Sequence, residues 1–245
     1  MGRYWTADAE NYANIIAEEL AGFRRDAWLD RFQLHLPHGP LSILDFGCGP
    51  GFFSLILASA GHHVTGLDIS EGMIAAATRH AQGRVYRTPP TFTHSETGPR
   101  GLESDAFDVI VSRNVTWTLS DPEAFYREAL RVLAPGGTLL IYDANWHLPL
   151  FDAEMANRCA KREALCRERY GSTYDGEPIN EPLDLKALPL SALQRPAWDA
   201  ALLPTLGFID VKTDEHIIDF LWDEKEKLLY GETPLFEIVA RKPQA

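Results

Sequence analysis

The sequence predicts an α/β fold in which a doubly wound, mostly parallel sheet has helices on both faces. Residues 43–46 form a short apolar strand that runs into a turn with glycine at three alternate positions, and an apolar helix over residues 52–60 follows. A second strand, residues 63–68, ends in an aspartate. Strand, glycine turn, helix, strand and carboxylate in this order are typical of the first βαβ unit of a nucleotide-binding fold.

The glycine turn indicates where a cofactor binds, because glycine allows a positive φ and lets a ligand approach the backbone without meeting a Cβ atom. A dinucleotide fingerprint, G-x-G-x-x-G, needs a third glycine for close packing of helix and strand. That position holds Phe52 when the count starts at Gly47, and Ser54 when it starts at Gly49. Phenylalanine is too large there and serine is a weak match. The pattern therefore disfavours an NAD-binding oxidoreductase but leaves it as an alternative.

The glycines stand in the pattern Asp45-x-Gly47-x-Gly49-x-Gly51, and residues 67–70 read Leu-Asp-Ile-Ser. Together these motifs resemble those of the class I S-adenosylmethionine (SAM) dependent methyltransferases.

Two later segments agree with that resemblance. Phe107–Ser112 looks like the fourth strand of that family, and Arg131–Ile141 looks like its turn into the fifth strand. The resemblance implies a Rossmann-like sheet of seven mostly parallel strands whose last two are antiparallel. Residues 207–212 and 236–240 are similar to that terminal pair.

We interpret residues 1–245 as one domain built from four consecutive parts. These are an N-terminal helical segment (1–40), a SAM-binding core (41–143), a helical insertion (144–205) and a C-terminal strand pair (206–245). In the insertion, a charged helix around residues 152–169 interrupts an aromatic and proline-rich stretch that includes Trp146, Tyr174 and Trp198. We expect the insertion to form a lid or a pocket for the methyl acceptor.

Local patterns predict two further elements of the core. The third strand is expected near Arg84–Arg87, followed by a loop over residues 88–102. Ser120 and Glu123 have the spacing of a capping box, and Pro122 suits the first helical position. A helix is therefore expected to begin at this point.

The resemblance implies a set of residues that bind SAM. The backbone of Gly47, Cys48 and Gly49 would wrap the methionine part, and Asp45 would help to hold its amino-acid end. Asp68 would accept hydrogen bonds from both ribose hydroxyls, which suits a carboxylate with two acceptor oxygens. The remaining predicted contacts are Ile69 and Met73 beside the adenine and Asn114 after the fourth strand.

Four of these assignments have a structural alternative. Asp45 is also suited to capping the turn, and Asp68 to capping the helix that starts at Ser70. Ile69 and Met73 are equally suited to the core. No acid follows the third strand where the family often reads the adenine amino group, so the adenine contact is left open.

Three residues are candidates for a catalytic role. Tyr12 resembles the N-terminal aromatic residues that small-molecule members of the family fold over the cofactor, and Trp117 is placed to border the methyl group or the acceptor. His147 is the candidate general base for an acceptor that must lose a proton. The alternatives are packing for Tyr12 and Trp117, and a hydrogen-bonded loop position for His147.

Composition excludes several classes of partner. The formal net charge of −12 and the absence of a Lys/Arg run argue against nucleic-acid binding. The three cysteines form neither a disulfide framework nor a C-x-x-C motif. Without a secretory signal or an apolar stretch long enough for a membrane span, we expect a cytoplasmic protein that does not enter membranes.

A metal site is not predicted. Asp143 and Asn145 follow the fifth strand, but catechol-type sites need several oxygen ligands from two strand ends, and the fourth strand supplies Asn114 rather than an acid. The sequence therefore predicts metal-free methyl transfer from SAM to an oxygen, nitrogen or sulfur atom of a small molecule. A SAM-binding sensor without transferase activity is the alternative that shares the same cofactor residues. No feature indicates an oligomeric state.

Overall fold

The computed structural model describes residues 1–173 and 183–244, and in these ranges seven strands form one sheet. The strands are β1 (Ser42–Phe46), β2 (His63–Asp68), β3 (Thr91–His94), β4 (Phe107–Arg113), β5 (Leu133–Asp143), β6 (Ile209–Asp214) and β7 (Phe236–Arg241). Their order across the sheet is β3-β2-β1-β4-β5-β7-β6. The first five pair in parallel, and β7 runs antiparallel to both β5 and β6. The predicted doubly wound, seven-stranded fold with an antiparallel terminal pair is confirmed.

Helices flank this sheet on both faces. In the described part of the chain they are α1 (Gly2–Ala7), α2 (Ala9–Ala21), α3 (Arg24–Gln33), α4 (Phe52–Ser59), α5 (Glu71–Ala81), α6 (Pro122–Val132), α7 (Ala153–Tyr170), α8 (Ala197–Thr205), α9 (Ile218–Leu221) and α10 (Glu224–Tyr230). The predicted N-terminal helices correspond to α1, α2 and α3. The predicted charged helix of the insertion is α7, whereas Tyr174 lies outside the described residues.

The two faces of the sheet bury separate apolar clusters, because alternate residues of a strand point in opposite directions. Ile43, Val109 and Leu140 pack against α2, α3 and α4 on one face. Leu44 and Ile110 pack against α6 and α8 on the other face. The strand order reverses between β1 and β4, and ligands of such sheets bind in the crevice beyond the carboxyl ends of the strands at this reversal.

The third strand was predicted in the wrong place. Residues 84–87 form no strand, and the side chain of Val85 is 95% exposed. The strand is instead Thr91–His94, inside the predicted loop, and it pairs with Thr65–Asp68 at the edge of the sheet. Its side chains are mostly exposed, so it lacks the apolar pattern by which a buried strand is recognised.

Two predicted boundaries also differ. Helix α6 begins at Pro122 as expected, but its cap is Asp121, whose Oδ1 accepts a hydrogen bond from the amide of Ala124 at 2.9 Å. The predicted capping box between Ser120 and Glu123 is wrong, because the cap falls one residue later. The turn expected before the fifth strand is an irregularity within β5, since Leu133 already pairs with β4.

Among the helices of the described ranges, none combines the length and the apolar composition needed to cross a membrane.

Candidate active site

A cavity of about 620 Å³ lies at the carboxyl ends of β1, β2 and β4, where the strand order reverses. Its floor is the turn between β1 and α4, which includes Gly47 and Gly49. The N-terminal segment covers one side through Trp5 and Tyr12, and Leu188 of the insertion contributes to another. We call this space the main cavity.

The turn below the main cavity requires glycine. Gly47 has a φ of +69°, and a Cβ atom at this position would come within 2.3 Å of the Val115 side chain. Gly49 has a φ of +51°. The amides of Gly47 and Cys48 donate to the carbonyl of Leu67 at 2.7 and 3.0 Å, which fixes the turn to the end of β2. The turn therefore presents bare backbone to the cavity in a fixed conformation.

Asp68 ends β2 and lines the main cavity with a carboxylate that is largely buried. Its Oδ2 accepts from the amide of Gly49 at 2.9 Å, and its Oδ1 accepts from the amide of Ser70 at 2.8 Å. Burial raises the pKa of Asp68, and these backbone hydrogen bonds oppose that shift. Each carboxylate oxygen has a second lone pair, so Asp68 can also accept from a ligand.

Asp45 lies behind the turn and not in the cavity wall. Its Oδ2 accepts from the amide and the hydroxyl of Ser54, at 2.9 and 2.6 Å, in the first turn of α4. Burial raises the pKa of Asp45 to about 6. This position corresponds to the structural alternative, in which the carboxylate ties β1 to the start of α4.

Some of the other predicted site residues line the wall of the main cavity, and others lie behind that wall. Ile69 and Met73 line the main cavity, as do Asn114 and Tyr12. Cys48 is buried behind the turn, and burial raises the pKa of its thiol. Only its backbone therefore belongs to the predicted cradle.

Asn114 stands directly after β4 in a strained position. Its φ is +57°, which non-glycine residues seldom adopt, and its amide donates to the carbonyl of Tyr142 at 2.8 Å. Its side-chain Oδ1 is buried and, among the described residues, accepts no hydrogen bond. A strained residue with an unpaired buried acceptor at a cavity wall is typical of a ligand contact.

An aromatic chain leads away from the main cavity toward His147. The ring of Trp5 lies 6.1 Å from those of Tyr12 and Trp117, and the ring of Trp117 lies 4.6 Å from that of His147. Burial lowers the pKa of His147 despite the nearby charge of Asp143, and its Nε2 atom is buried without a hydrogen bond among the described groups. The structure brings neither Trp117 nor His147 into the wall of the main cavity.

Sequence reasoning missed the buried ionic network around Arg195. This guanidinium is almost fully buried and donates to Asp143 at 2.8 Å and to Asp199 at 2.8 and 2.9 Å. It also donates to Thr116, at 2.8 Å, and Thr116 in turn hydrogen-bonds to Asp143. A single arginine in this loop has no pattern that could have revealed this role.

Asn145 extends this network, because its side chain exchanges two hydrogen bonds with the backbone of Arg195, at 2.7 and 3.0 Å. Asp143 and Asn145, the two oxygen donors considered for a metal, are thus both bonded to the insertion. Within residues 1–173 and 183–244, no three His, Cys, Asp or Glu side chains are grouped to hold a metal ion.

A second cavity of about 220 Å³ adjoins the main cavity and shares Arg113 and Asn114 with it. Its other lining residues are Glu19, Arg24, Trp28, Trp146, Leu221, Trp222, Glu226, Tyr230 and Leu235. Because Trp146, Trp222 and Tyr230 contribute aromatic rings to its wall, we call it the aromatic cavity. Sequence reasoning did not single out residues 218–230, since their short helices have no distinctive motif.

Comparison with known proteins agrees with this geometry. Residues 44–141 match the family model that describes a methyltransferase domain. The ubiquinone biosynthesis O-methyltransferase of Caulobacter sp. (strain K31) is 34% identical over 177 residues, which are 71% of this chain and 65% of that protein. The chain spans 49% to 66% of the length of this and two similar curated relatives.

Solved structures have the same fold. Phosphoethanolamine N-methyltransferase 2 of Haemonchus contortus, in complex with phosphomonomethylethanolamine and S-adenosylhomocysteine (SAH), matches with a TM-score of 0.59 at 17% identity, over 89% of this chain and 52% of that one. A SAM-dependent methyltransferase from Methanosarcina mazei matches with a TM-score of 0.55 at 25% identity, over 87% and 97% of the two chains.

The fold and its glycine-floored cavity define a nucleotide-binding α/β domain. The domain match, together with the methyltransferase relatives, identifies residues 44–141 as a domain of the class I SAM-dependent methyltransferase type. This assignment takes the place of the alternative of an NAD-binding oxidoreductase.

Proposed function

We propose that the chain transfers the methyl group of SAM to an oxygen, nitrogen or sulfur atom of a small-molecule acceptor. The observation that carries this proposal is the main cavity, with its bare glycine backbone and the Asp68 carboxylate at one end of the sheet. An alternative, a SAM-binding sensor that transfers no methyl group, would use the same residues.

The residues of the main cavity fit SAM at three points. At Gly49 the absence of a Cβ atom leaves room beside the backbone, which suits the methionine part, whereas Gly47 allows the turn to pack against Val115. The spare lone pairs of Asp68 suit the ribose hydroxyls. The unpaired Oδ1 of Asn114 suits the ammonium group of the methionine part, because a buried acceptor without a donor is costly.

The other predicted cofactor residues would lie beside or behind the residues that contact SAM at these three points. Ile69 and Met73 supply apolar surface for the adenine from the cavity wall. Asp45 and the side chain of Cys48 would act indirectly, by holding β1, the turn and α4 in place.

SAM supplies a methyl group already activated by its sulfonium, so the protein's task is mainly to align the acceptor and exclude water. Alignment of this kind contributes on the order of 7–11 kcal/mol to rate acceleration. Trp5 and Tyr12 cover the main cavity from the N-terminal segment and suit water exclusion. Trp117 would brace this cover, since its indole N–H donates to the carbonyl of Asn114 at 3.1 Å.

His147 is the proposed general base for an acceptor that must lose a proton. Its lowered pKa keeps the imidazole neutral near pH 7, which is the form that accepts a proton. For this role, the Trp117 ring beside it would have to move or a water would have to relay the proton.

A small acceptor is supported by the sizes of the two cavities and by the relatives, which are named for ubiquinone biosynthesis and for phosphoethanolamine. The net charge of −12 disfavours a nucleic-acid acceptor. A cytoplasmic location stays a prediction.

The first experiment is isothermal titration of the purified chain with SAM, SAH and NAD, followed by a screen of acceptors with methyl-labelled SAM. Binding of SAM and SAH without NAD, together with label transfer to a small molecule, is the expected result. SAM binding without transfer to any acceptor would favour the sensor. Binding of NAD alone would contradict the proposal.

A further inference from the structure

The aromatic cavity lies where several chain segments meet beside the main cavity. Glu19 of α2 and Arg24 of α3 form one side, and the residues that follow β4 and β5 form the adjoining walls. Asn114 and Arg113 line both cavities. A molecule in the aromatic cavity would therefore lie next to whatever occupies the main cavity.

Three aromatic rings form a continuous wall of this space. The ring of Trp146 lies 5.4 Å from that of Tyr230 and 6.4 Å from that of Trp222, and the Trp222 and Tyr230 rings are 5.9 Å apart. All three line the aromatic cavity. The negative faces of tryptophan and tyrosine rings attract cations, and most strongly where water is excluded.

The charged groups of the wall favour a cation over an anion. Its two guanidinium groups are already paired: Arg113 donates to Glu19 at 2.7 Å, and Arg24 donates to Asp223 at 3.0 Å and to Glu226. An entering anion would have to displace one of these carboxylates. Burial raises the pKa of Glu226 even though Arg24 donates to it, so a further positive charge nearby would stabilise its carboxylate.

We propose that the aromatic cavity binds the methyl acceptor, and that its aromatic wall and Glu226 select a small molecule carrying an alkylammonium group. This inference rests on the proposed function, because it assigns the acceptor side of the same site. It adds a substrate class that the methyltransferase fold alone does not specify.

The test uses choline as a quaternary ammonium probe and 3,3-dimethylbutan-1-ol as its uncharged isostere. Both are titrated into the SAH-saturated chain, with binding followed by calorimetry and tryptophan fluorescence. We expect choline to bind about tenfold more tightly than the alcohol, and Trp222→Leu to remove most of this difference. SAH affinity should be unchanged in the variant.

Phe220→Leu is the matched control, because Phe220 lies two residues before Trp222 but is 79% exposed and lines neither cavity. It should retain the preference for choline. Glu226→Gln is a second variant, expected to weaken choline binding severalfold while leaving the alcohol unaffected.

Equal affinity for the two probes, or no choline binding while SAH binds, would overturn the inference and leave the proposed function intact. The same conclusion would follow if Trp222→Leu, folded by circular dichroism, bound choline like the original chain. Failure of SAM and SAH to bind would instead contradict the proposed function itself.

Discussion

At the scale of single residues, Asp68 is expected to dominate affinity for the cofactor. Asp68→Ala should weaken SAH binding by more than about tenfold, because the ribose hydroxyls lose a charged acceptor and the amides of Gly49 and Ser70 lose theirs. The SAH affinity of Asp68→Asn, which keeps one acceptor oxygen, should lie between that of the original chain and that of Asp68→Ala. Calorimetric titration measures all three proteins, and an unchanged affinity in the alanine variant would remove Asp68 from the site.

Asp45 should make stability depend on pH in an unusual direction. Burial raises its pKa from 3.8 to about 6, so between these values the folded state binds more protons than the unfolded state. The contribution of the Asp45 carboxyl group to the free energy of unfolding is therefore complete below pH 3.8. As the pH rises through 6, this contribution of about 3 kcal/mol is lost.

The variant Asp45→Asn should lack this loss, because an amide can still accept from Ser54 and carries no charge. The free energy of unfolding of the variant, measured by urea denaturation without ligand, should gain about 2.4 kcal/mol on the original chain between pH 4 and pH 7. If the difference in unfolding free energy between the two proteins did not change with pH, the raised pKa of Asp45 would be contradicted.

His147→Ala should lower turnover and leave SAH affinity unchanged, because the imidazole touches neither cavity wall but is the proposed acceptor of the proton. The measurement is the initial rate with an identified acceptor, together with calorimetry. Equal turnover in the variant would assign His147 a structural role beside Trp117.

The candidate site could be predicted from sequence where its residues lie within one short motif. Glycines at alternate positions and an acid at a strand end predicted a turn of bare backbone beside a carboxylate, and Gly47, Gly49 and Asp68 all line the main cavity. Their contacts with a ligand stay predictions. The direction of Asp45 could not be predicted, because a carboxylate after a strand suits Ser54 as well as a ligand. Arg195 could not be predicted either, because its partners Asp143 and Asp199 come from distant or unremarkable positions.

At the scale of elements, the Arg195 network joins the insertion to the core. Removal of the guanidinium, as in Arg195→Met, would leave the carboxylates of Asp143 and Asp199 buried and unpaired. We expect a loss of about 3–5 kcal/mol in the free energy of unfolding by urea. Arg127→Ala, which breaks the exposed pair with Glu123, is the control and should cost less than about 1 kcal/mol. Similar losses in both variants would contradict the role of burial.

The elements themselves were predictable in proportion to their burial. Strands β1, β2, β4 and β5 are buried on both faces, so they read as apolar runs with clear ends. The edge strand β3 is exposed and was placed too early. Helices α9 and α10 are short and half-buried, so their contribution to the aromatic cavity appeared only when the fold placed them beside Trp146.

At the scale of the whole molecule, the main cavity depends on segments far apart in sequence. The N-terminal segment supplies Trp5 and Tyr12, the core supplies the glycine turn, and the insertion supplies Leu188. The core motifs were predictable because each lies within a short stretch. The way in which the N-terminal helices and the insertion close over the core was not, since it follows from packing between distant surfaces.

Because residues from all of these segments line one cavity, ligand binding should stabilise the entire domain. A ligand that binds only the folded state, present at a hundredfold excess over its Kd, adds about 2.7 kcal/mol. For a chain of this length SAH should raise Tm by roughly 5–10 °C in a thermal-shift measurement, whereas NAD should cause no shift. Asp68→Ala should lose most of the SAH effect at the same concentration. A shift with NAD alone, or equal shifts in both proteins, would mean that the main cavity is not the SAM site.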